Sequence, residues 1–254
     1  MSDDPVKTNR PLVDWSRREV LGLLGTAAGA AALTGCTPAS GEGARDAAGP
    51  AQALDCVVTP AQTEGPYFVD ERLERRDIRL DPKTKAVKEG VPLRLRIHVS
   101  RVDGGACAPL AGAIVDVWQC DALGAYSDVW DHNGDTRGQK FLRGYQVTDR
   151  SGTAEFVTIY PGWYARRAVH IHFKVRHPAG GKRSHELTSQ LYFDDAVTDR
   201  VHALPPYNAK GARDTRNDLD GIFRASDSGS ELLLRLSRNG PGYVGDINVG
   251  LRMS

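Results

Sequence analysis

The stretch PLRLRIHVS, residues 92–100, places an apolar side chain at every second position. In an extended chain, Leu93, Leu95, Ile97 and Val99 therefore share one face, and the charged and polar side chains share the other. A period of two is typical of a strand that buries one face in a core. This stretch predicts such a strand and sets the pattern for the rest of the chain.

Comparable signatures recur and predict an all-β fold. Alternating or β-branched runs indicate further strands over residues 111–119, 141–148, 153–160, 169–176, 186–193, 232–237 and 243–249. The turn sequence DRSG at 149–152 predicts a hairpin between its flanking strands, and the turn at 178–181 predicts a second pair of strands. A turn sequence at 239–242 separates the last two strands. Helical patterns are confined to 195–204 and a turn at 218–223. We expect a two-sheet β-sandwich with long loops and little helix.

Composition excludes two broad classes of protein. The chain has 254 residues, with 33 basic and 32 acidic side chains and a formal charge of +1. A nucleic-acid-binding protein would usually carry a basic excess, so we expect no nucleic-acid partner. Hydrophobic residues make up 40% of the chain, which is ordinary globular usage and argues against wholesale disorder.

The N-terminal stretch has the features of an export signal rather than of a folded domain. SRREVL at 16–21 is a twin-arginine export signal, and LTGC at 33–36 resembles the bacterial lipobox, in which the cysteine is lipidated. We therefore predict a signal segment over 1–36, a flexible tether over 37–54 and one catalytic domain over 55–254. The protein would be exported to the periplasm or cell surface and anchored by lipid at Cys36. A chance arginine pair in a disordered tail and an uncleaved N-terminal anchor are the alternatives.

Three cysteines remain beyond the lipobox. Cys56, Cys107 and Cys120 would reach an oxidising compartment, where a disulfide is expected. An odd number leaves at least one unpaired within the chain, and the sequence does not choose the pair. A cysteine-based zinc site is not expected, because the chain has no CxxC motif.

The local signal with the clearest chemistry is VHIHF at 169–173. On a strand, residues two apart point to the same face, so His170 and His172 would lie side by side. Histidine is the commonest metal ligand, and such a pair is typical of a metal site. A pair of satisfied strand histidines is the alternative for this motif taken alone.

Two tyrosines in loops extend the candidate site. Tyr164 lies in the turn PGWYARR at 161–167, and Tyr126 lies in the loop DALGAYS at 121–127. Phenolate oxygen is a hard donor that suits Fe(III) better than Zn(II) or Cu(I). Taken singly, each tyrosine is more often a half-buried packing residue.

Several motifs occur together and in order. They are TEGPYF at 63–68, VDVW at 115–118 running into GAYS at 124–127, RG at 143–144, TDRSG at 148–152, TIYPGWY at 158–164, RAVHIHF at 167–173 and SQLYF at 189–193. In this order the chain resembles the intradiol ring-cleavage dioxygenases, the group of catechol, hydroxyquinol and protocatechuate enzymes. The resemblance covers roughly residues 56–195, and the residues after 200 are less diagnostic.

The resemblance implies a metal and a reaction. A non-haem Fe(III) would be held by Tyr126, Tyr164, His170 and His172, and Tyr164 would leave the iron when substrate binds. The substrate would be a catechol-type ring, cleaved with O2 between its two hydroxyl-bearing carbons to give a cis,cis-muconate-type diacid. Arg167 would stabilise negative charge on the ring carbon under attack.

Other residues receive lesser roles. Gln190 matches the family's glutamine that orients substrate or an iron ligand by hydrogen bonding. Tyr67, Trp163 and Arg166 are candidates for lining the pocket, with packing as the alternative. His185 is expected in a solvated loop.

The chain also departs from the family pattern. It lacks the long helical N-terminal segment of the cytosolic catechol 1,2-dioxygenases, so a homo-oligomer is left open but that dimer mode is doubtful. Its interval from Tyr164 to His170 is short compared with the protocatechuate enzymes, so the substrate-selecting loop would differ.

Two competing interpretations are a non-enzymatic β-sandwich binding module and an extradiol Fe(II) enzyme with two histidines and one carboxylate.

Overall fold

The computed structural model describes residues 57–104, 106–131, 134–179, 184–225 and 229–253. The predicted signal segment and tether, with Cys36 and Cys56, lie outside the described residues. Within the described ranges, no helix is both long enough and apolar enough to span a bilayer.

Strands dominate the described part of the chain. They are β1 Pro92–Asp103, β2 Ala106–Pro109, β3 Ile114–Trp118, β4 Trp130–Asp131, β5 Gly134–Asp135, β6 Arg143–Val147, β7 Thr153–Ile159, β8 His170–Pro178, β9 Ser184–Tyr192, β10 Arg235–Asn239 and β11 Gly242–Arg252. The helices are α1 Asp195–His202 and α2 Gly221–Ala225, with single-turn 3-10 helices at Tyr207–Lys210, Asn217–Leu219 and Gly229–Leu232.

The strands form two sheets and a small hairpin. In the larger sheet β1 is central: it pairs in parallel with β11 along one edge and antiparallel with β7 and then β2 along the other, while β10 lies outside β11. The smaller sheet has the antiparallel order β6-β3-β8-β9. β4 and β5 pair separately.

One core lies between the two sheets. Leu93, Leu95, Ile97 and Val99 of β1 are at most 1% exposed, as the alternating pattern predicts. They belong to the same buried cluster as apolar side chains of β3, β8 and β9, including Phe173. The predicted two-sheet β-sandwich with little helix is confirmed.

The hairpin predicted around residues 149–152 is wrong. The chain does turn there, and the N–H of Gly152 donates to the carbonyl of Asp149 at 2.9 Å. However, β6 before the turn pairs with β3, and β7 after it pairs with β1, so the turn carries the chain from one sheet to the other. Turn sequences specify a local reversal of the backbone, whereas the partner of each strand depends on which face the core buries.

The pairing predicted around 178–181 is confirmed, because β8 pairs with β9. The last two strands, β10 and β11, also pair with each other. Helix α1 begins where predicted, and the turn near 218–223 is a 3-10 turn followed by α2. The short strands β2, β4 and β5 were not predicted, since none is longer than four residues.

The structure determines the bonding state of two of the three cysteines. Cys107 is disulfide-bonded, while Cys120 is free and 1% exposed. Cys120 is therefore an unpaired residue among the three cysteines that the sequence left open.

Candidate metal centre

Strand β8 presents its two histidines on the face turned away from the core. Ile171 and Phe173 are 0% exposed in the core between the sheets, so His170 and His172 share the opposite face. Loops cover that face as well, and the two imidazoles are at most 2% exposed. Their Nε2 atoms point toward each other at 3.1 Å.

The two predicted tyrosines close on the same point. The hydroxyl of Tyr164 lies 3.1 Å from Nε2 of His170. The ring of Tyr126, 1% exposed, lies 5.8 Å from the ring of Tyr164 and 6.2 Å from that of His172. All four side chains that the sequence proposed as ligands therefore converge in one buried cluster.

Two glycines allow the tyrosine loops to touch. A Cβ at Gly162 would lie 2.4 Å from the carbonyl oxygen of Ala122, and a Cβ at Gly124 would lie 2.2 Å from that of Trp163. Side chains at these positions would force the backbones apart. The loop before Tyr126 and the loop before Tyr164 thus pack backbone to backbone, which fixes the two phenols relative to each other.

A segment near the start of the described chain covers the site, and we call residues 62–68 the strap. Gly65 of the strap packs on His172, and a Cβ there would lie 3.3 Å from the imidazole Cε1. The ring of Tyr67 stacks on Tyr126 with a centroid separation of 4.3 Å. This places Tyr67, proposed as a pocket residue, directly against a candidate ligand.

The buried Arg143 ties the strap to the Tyr126 loop. Its side chain is 2% exposed, and its Nη1 donates to the carbonyl of Tyr67 at 2.5 Å. Its Nε donates to the hydroxyl of Ser127 at 2.8 Å, directly after Tyr126. The sequence marked the RG motif only as part of the resemblance and did not assign Arg143 a role.

Gln190 reaches the site through strand pairing. In the β8–β9 register it lies directly opposite His172, and its Nε2 donates to the carbonyl of Thr63 in the strap at 3.0 Å. Its Oε1 accepts from Nη2 of Arg167 at 2.5 Å. Arg167 also approaches the candidate ligands, with its Nη1 3.4 Å from the hydroxyl of Tyr164. The three residues proposed as catalytic therefore belong to one hydrogen-bonded group.

Asp220 completes this group and was missed from the sequence. Its carboxylate is 0% exposed and accepts from Nε of Arg167 at 2.8 Å and from the N–H of Ala168 at 2.8 Å. The ion pair between Arg167 and Asp220 is therefore a buried one and not a surface salt bridge. An Asp just before a helix is a recognisable N-cap signal, but no sequence pattern connects it with Arg167.

Burial sets the protonation of the candidate ligands. Burial raises the pKa of Tyr126 well above its usual value, and it raises that of Tyr164 against the opposing effect of Arg167. Burial and then Arg167 lower the pKa of His170 to about 3, and burial lowers that of His172 well below its usual value. The imidazoles are thus neutral and can offer lone pairs, while the phenols need a nearby cation before they ionise.

These residues fit a hard cation. Two nitrogens bound side by side to one ion at about 2.1 Å each lie about 3 Å apart, close to the 3.1 Å between the histidine Nε2 atoms. Within the described ranges, the hydroxyl of Tyr126 is buried without a hydrogen-bond partner. A cation bound here would pair that oxygen and balance the charge of both phenolates.

Carboxylates do not contribute to this donor set. Across the described ranges, no group of three or more His, Cys, Asp and Glu side chains is placed to hold a metal. The extradiol alternative, which requires a carboxylate beside the two histidines, therefore finds no support among those residues.

The remaining residues singled out from the sequence make other contacts. Trp163 packs beneath Lys210, whose Nζ lies 4.9 Å from its ring centroid. Arg166 is exposed, and its backbone N–H donates to Asp214 at 3.1 Å. His185 was expected in a loop, but it lies in β9, where it pairs with His177.

Comparison with known proteins identifies the family of the chain. A family model described as Dioxygenase matches residues 63–231. The protocatechuate 3,4-dioxygenase beta chain of Burkholderia cepacia is 37% identical over 122 residues, which are 44% of this chain and 51% of that protein. Catechol 1,2-dioxygenase of Candida albicans is 32% identical over 126 residues, or 42% and 38% of the two chains.

A solved structure matches a larger share of the chain. The intradiol ring-cleavage dioxygenase from Tetranychus urticae aligns over 78% of this chain and 96% of its own, with 29% identity and a TM-score of 0.67. The match to the curated sequences is shorter, since the chain spans about half or less of those two relatives. The family match nevertheless covers most of the chain and the whole candidate site, and the chain belongs to the intradiol ring-cleavage dioxygenases.

Proposed function

We propose that the protein uses a non-haem Fe(III) to cleave a catechol-type ring with O2 between its two hydroxyl-bearing carbons. The product would be a cis,cis-muconate-type diacid. One observation carries the proposal: two neutral imidazoles and two phenols converge in a buried cluster beside Arg167 and Gln190. Family membership supports the same reaction class.

Tyr126, Tyr164, His170 and His172 would hold the iron. When bound, ferric iron supplies a Lewis acid that binds the substrate oxygens and draws electron density from the ring toward attack by O2. The charges favour a bound cation, because the two phenolates would offset two of the three positive charges of Fe(III), and a low-dielectric site disfavours unpaired charge.

Tyr164 is suited to hold a substrate proton. Its hydroxyl lies 3.4 Å from Nη1 of Arg167, whose fixed charge eases ionisation of the phenol against the effect of burial. As substrate binds, the phenolate oxygen of Tyr164 would take a proton from one substrate hydroxyl and become neutral phenol. Arg167 would then face the negative charge that develops on the ring.

Gln190 and the strap would orient the substrate and exclude water. Gln190 bridges Arg167 and the carbonyl of Thr63 with its two amide atoms, so the strap and the arginine are held in one geometry. Tyr67 covers Tyr126 on the same side. Exclusion of water from such a site strengthens the electrostatic effect of Arg167.

The visible spectrum of the iron-loaded protein, with and without catechol under nitrogen, tests the proposal. Fe(III) bound by tyrosinate should give a red charge-transfer band, and a chelating catechol should broaden it to longer wavelength. Admitting O2 should then consume one equivalent and release the ring-opened diacid. Tyr164→Phe should change the spectrum, while Tyr145→Phe, which removes a hydroxyl bonded to the exposed Glu74, should not.

Two outcomes would overturn the proposal. A colourless protein that holds iron would indicate Fe(II) chemistry. A protein that refuses iron but binds catechol or another aromatic ligand would make a binding module the better interpretation.

We also propose that the protein is exported by the twin-arginine route and is attached by lipid at Cys36, on the strength of the two N-terminal motifs. Replacement of Arg17 and Arg18 by lysine should retain precursor inside the cell, and Cys36→Ala should release exported protein from the membrane fraction. Full export of the lysine variant, or membrane retention of the alanine variant, would contradict the respective half. Size-exclusion chromatography of the exported protein would determine whether it forms a homo-oligomer.

A further inference from the structure

Asp220 lies outside every motif that marked the site, yet it contacts two groups within it. Four donors point at its carboxylate. Oδ2 accepts from Nε of Arg167 and the N–H of Ala168, both at 2.8 Å. Oδ1 accepts from the N–H groups of Ile222 and Phe223 at 2.7 and 3.1 Å, where it caps helix α2.

The two carboxylate oxygens of Asp220 accept from different parts of the structure. Oδ1 fixes the carboxylate on the backbone of α2, which makes it a rigid acceptor. Oδ2 then accepts from the Nε–H of Arg167, while the Oε1 of Gln190 accepts from its Nη2. With Nε and Nη2 held by these two acceptors, Arg167 directs Nη1 at the hydroxyl of Tyr164.

Oδ2 of Asp220 is also connected to His170, through the backbone of Ala168. Ala168, held by its N–H, offers its carbonyl to Nδ1 of His170 at 2.6 Å. An acceptor at Nδ1 selects the tautomer in which Nε2 carries the lone pair, and this is the nitrogen that faces His172 and Tyr164.

We propose that Asp220 is a positioning residue, which aims Arg167 at the reacting centre and fixes the orientation of the His170 ring. This inference rests on the proposed function for its catalytic consequence. Misplacement of a charged group by about 1 Å can lower a rate by about 100-fold. We therefore expect loss of the negative charge at Asp220 to slow ring cleavage without emptying the metal site.

The test compares Asp220→Asn with Asp220→Ser in the full chain. Both retain a side-chain oxygen that caps α2. Asn places an amide donor against the donors of Arg167 and Ala168, and Ser is too short to reach them. Asp246→Asn is the matched control. Asp246, on β11, pairs with Arg96 and His98 on β1 in the larger sheet, whereas the candidate ligands His170 and His172 lie in the smaller sheet.

For both Asp220 variants we expect wild-type iron content and a wild-type spectral change with catechol under nitrogen. The kcat for O2 uptake should fall about 10- to 100-fold, with a smaller change in KM. The Asp246 control should keep wild-type kcat. Wild-type kcat in both Asp220 variants, or a fall matched by an equal loss of iron, would overturn the proposal.

A double-mutant cycle separates positioning from general stability. If Asp220 acts through Arg167, Asp220→Asn should add little to the loss of kcat already caused by Arg167→Gln. Two losses that multiply in full would show that Asp220 acts independently of Arg167.

A measurement on the metal-free protein distinguishes this proposal from the proposed function. The Nε–H proton of Arg167, assigned with Arg167→Gln, should exchange slowly with solvent in wild type and rapidly in both Asp220 variants. Slow exchange retained in both variants would overturn the proposal even if the enzyme is active. A wild-type protein that lacks the ferric band would refute the proposed function, while the exchange result would still decide whether Asp220 holds Arg167.

Discussion

The ring of Tyr67 stacks on the ring of Tyr126, with centroids 4.3 Å apart and an interplanar angle of 17°. Tyr67 belongs to the strap and Tyr126 to the loop after β3, so this contact joins two segments that are remote in sequence. Arg143 supports the same junction, because it donates to Tyr67 and to Ser127 beside Tyr126. The candidate metal site is therefore covered by an aromatic contact that is anchored on one side by a buried cation.

This contact predicts different outcomes for two substitutions at Tyr67. Tyr67→Phe keeps the stacked ring, so we expect wild-type iron affinity and a wild-type ferric spectrum. Tyr67→Ala removes a stacking contribution of about 0.5–1.5 kcal/mol beyond the lost apolar area, so the strap should loosen, the melting temperature should fall and iron should dissociate faster. Calorimetry and competition with a chelator measure these effects. Equal behaviour of the two variants would show that the stacked ring does not hold the strap.

Tyr126→Phe should separate stability from metal binding. Across the described residues the Tyr126 hydroxyl is buried without a hydrogen-bond partner, and a buried unsatisfied polar group costs about 1–3 kcal/mol. Its removal should leave the melting temperature of the metal-free protein unchanged or higher, yet weaken iron binding and shift the charge-transfer band. Tyr160→Phe is the control, since it loses a 2.7 Å hydrogen bond to Thr198 and should lower stability. A less stable metal-free Tyr126→Phe protein would contradict this account.

The metal-free protein should lose stability as the pH falls below about 6.5, the usual pKa of histidine. Burial and Arg167 lower the pKa of His170 in the folded state to about 3, so between these values the unfolded chain binds more protons than the folded one. The free energy of unfolding should therefore decrease from pH 6.5 toward pH 3, and His172, also lowered by burial, should add to the slope.

Urea unfolding at several pH values measures this slope. His170→Gln should reduce it, because this variant lacks the buried imidazole that the folded state keeps neutral. A slope that is identical in wild type and His170→Gln would show that the buried imidazole is not its source. Bound iron should steepen the slope, because the metal keeps both phenols and both imidazoles unprotonated in the folded state, whereas the unfolded chain binds those protons.

Short-range sequence patterns anticipated much of this molecule, and the reasons are physical. The alternation around Leu93 and Leu95 predicted a buried strand face, and the HxH motif predicted a shared face for His170 and His172. Both predictions need only the period of a strand. The convergence of Tyr126 and Tyr164 with them came from family resemblance, since strand periodicity does not bring two loops together.

Long-range contacts were not anticipated. The turn at 149–152 was recognised, but the crossing from one sheet to the other was not, because the turn carries no record of the strands' partners. Asp220 was included only in a predicted turn, and its contact with Arg167 spans 53 residues. Arg143 likewise donates across 76 residues to Tyr67. Such contacts arise when the chain packs, and no local period records them.

Gly162→Ala should disturb the site without altering any candidate ligand. A Cβ at this position would lie 2.4 Å from the carbonyl oxygen of Ala122, so the loops that carry Tyr126 and Tyr164 would be pushed apart. The new Cβ and the carbonyl oxygen of Ala122 are both attached to backbone that neighbouring contacts hold in place. Overpacking of this kind costs about 1–3 kcal/mol. We expect a lower melting temperature, weaker iron binding and an altered ferric band. Gly221→Ala is the matched control, because a Cβ there meets nothing within 4 Å and should leave iron binding unchanged. If Gly162→Ala lowers stability but keeps wild-type iron affinity and spectrum, the close approach of the loops serves the fold alone and does not set the geometry of the two phenols.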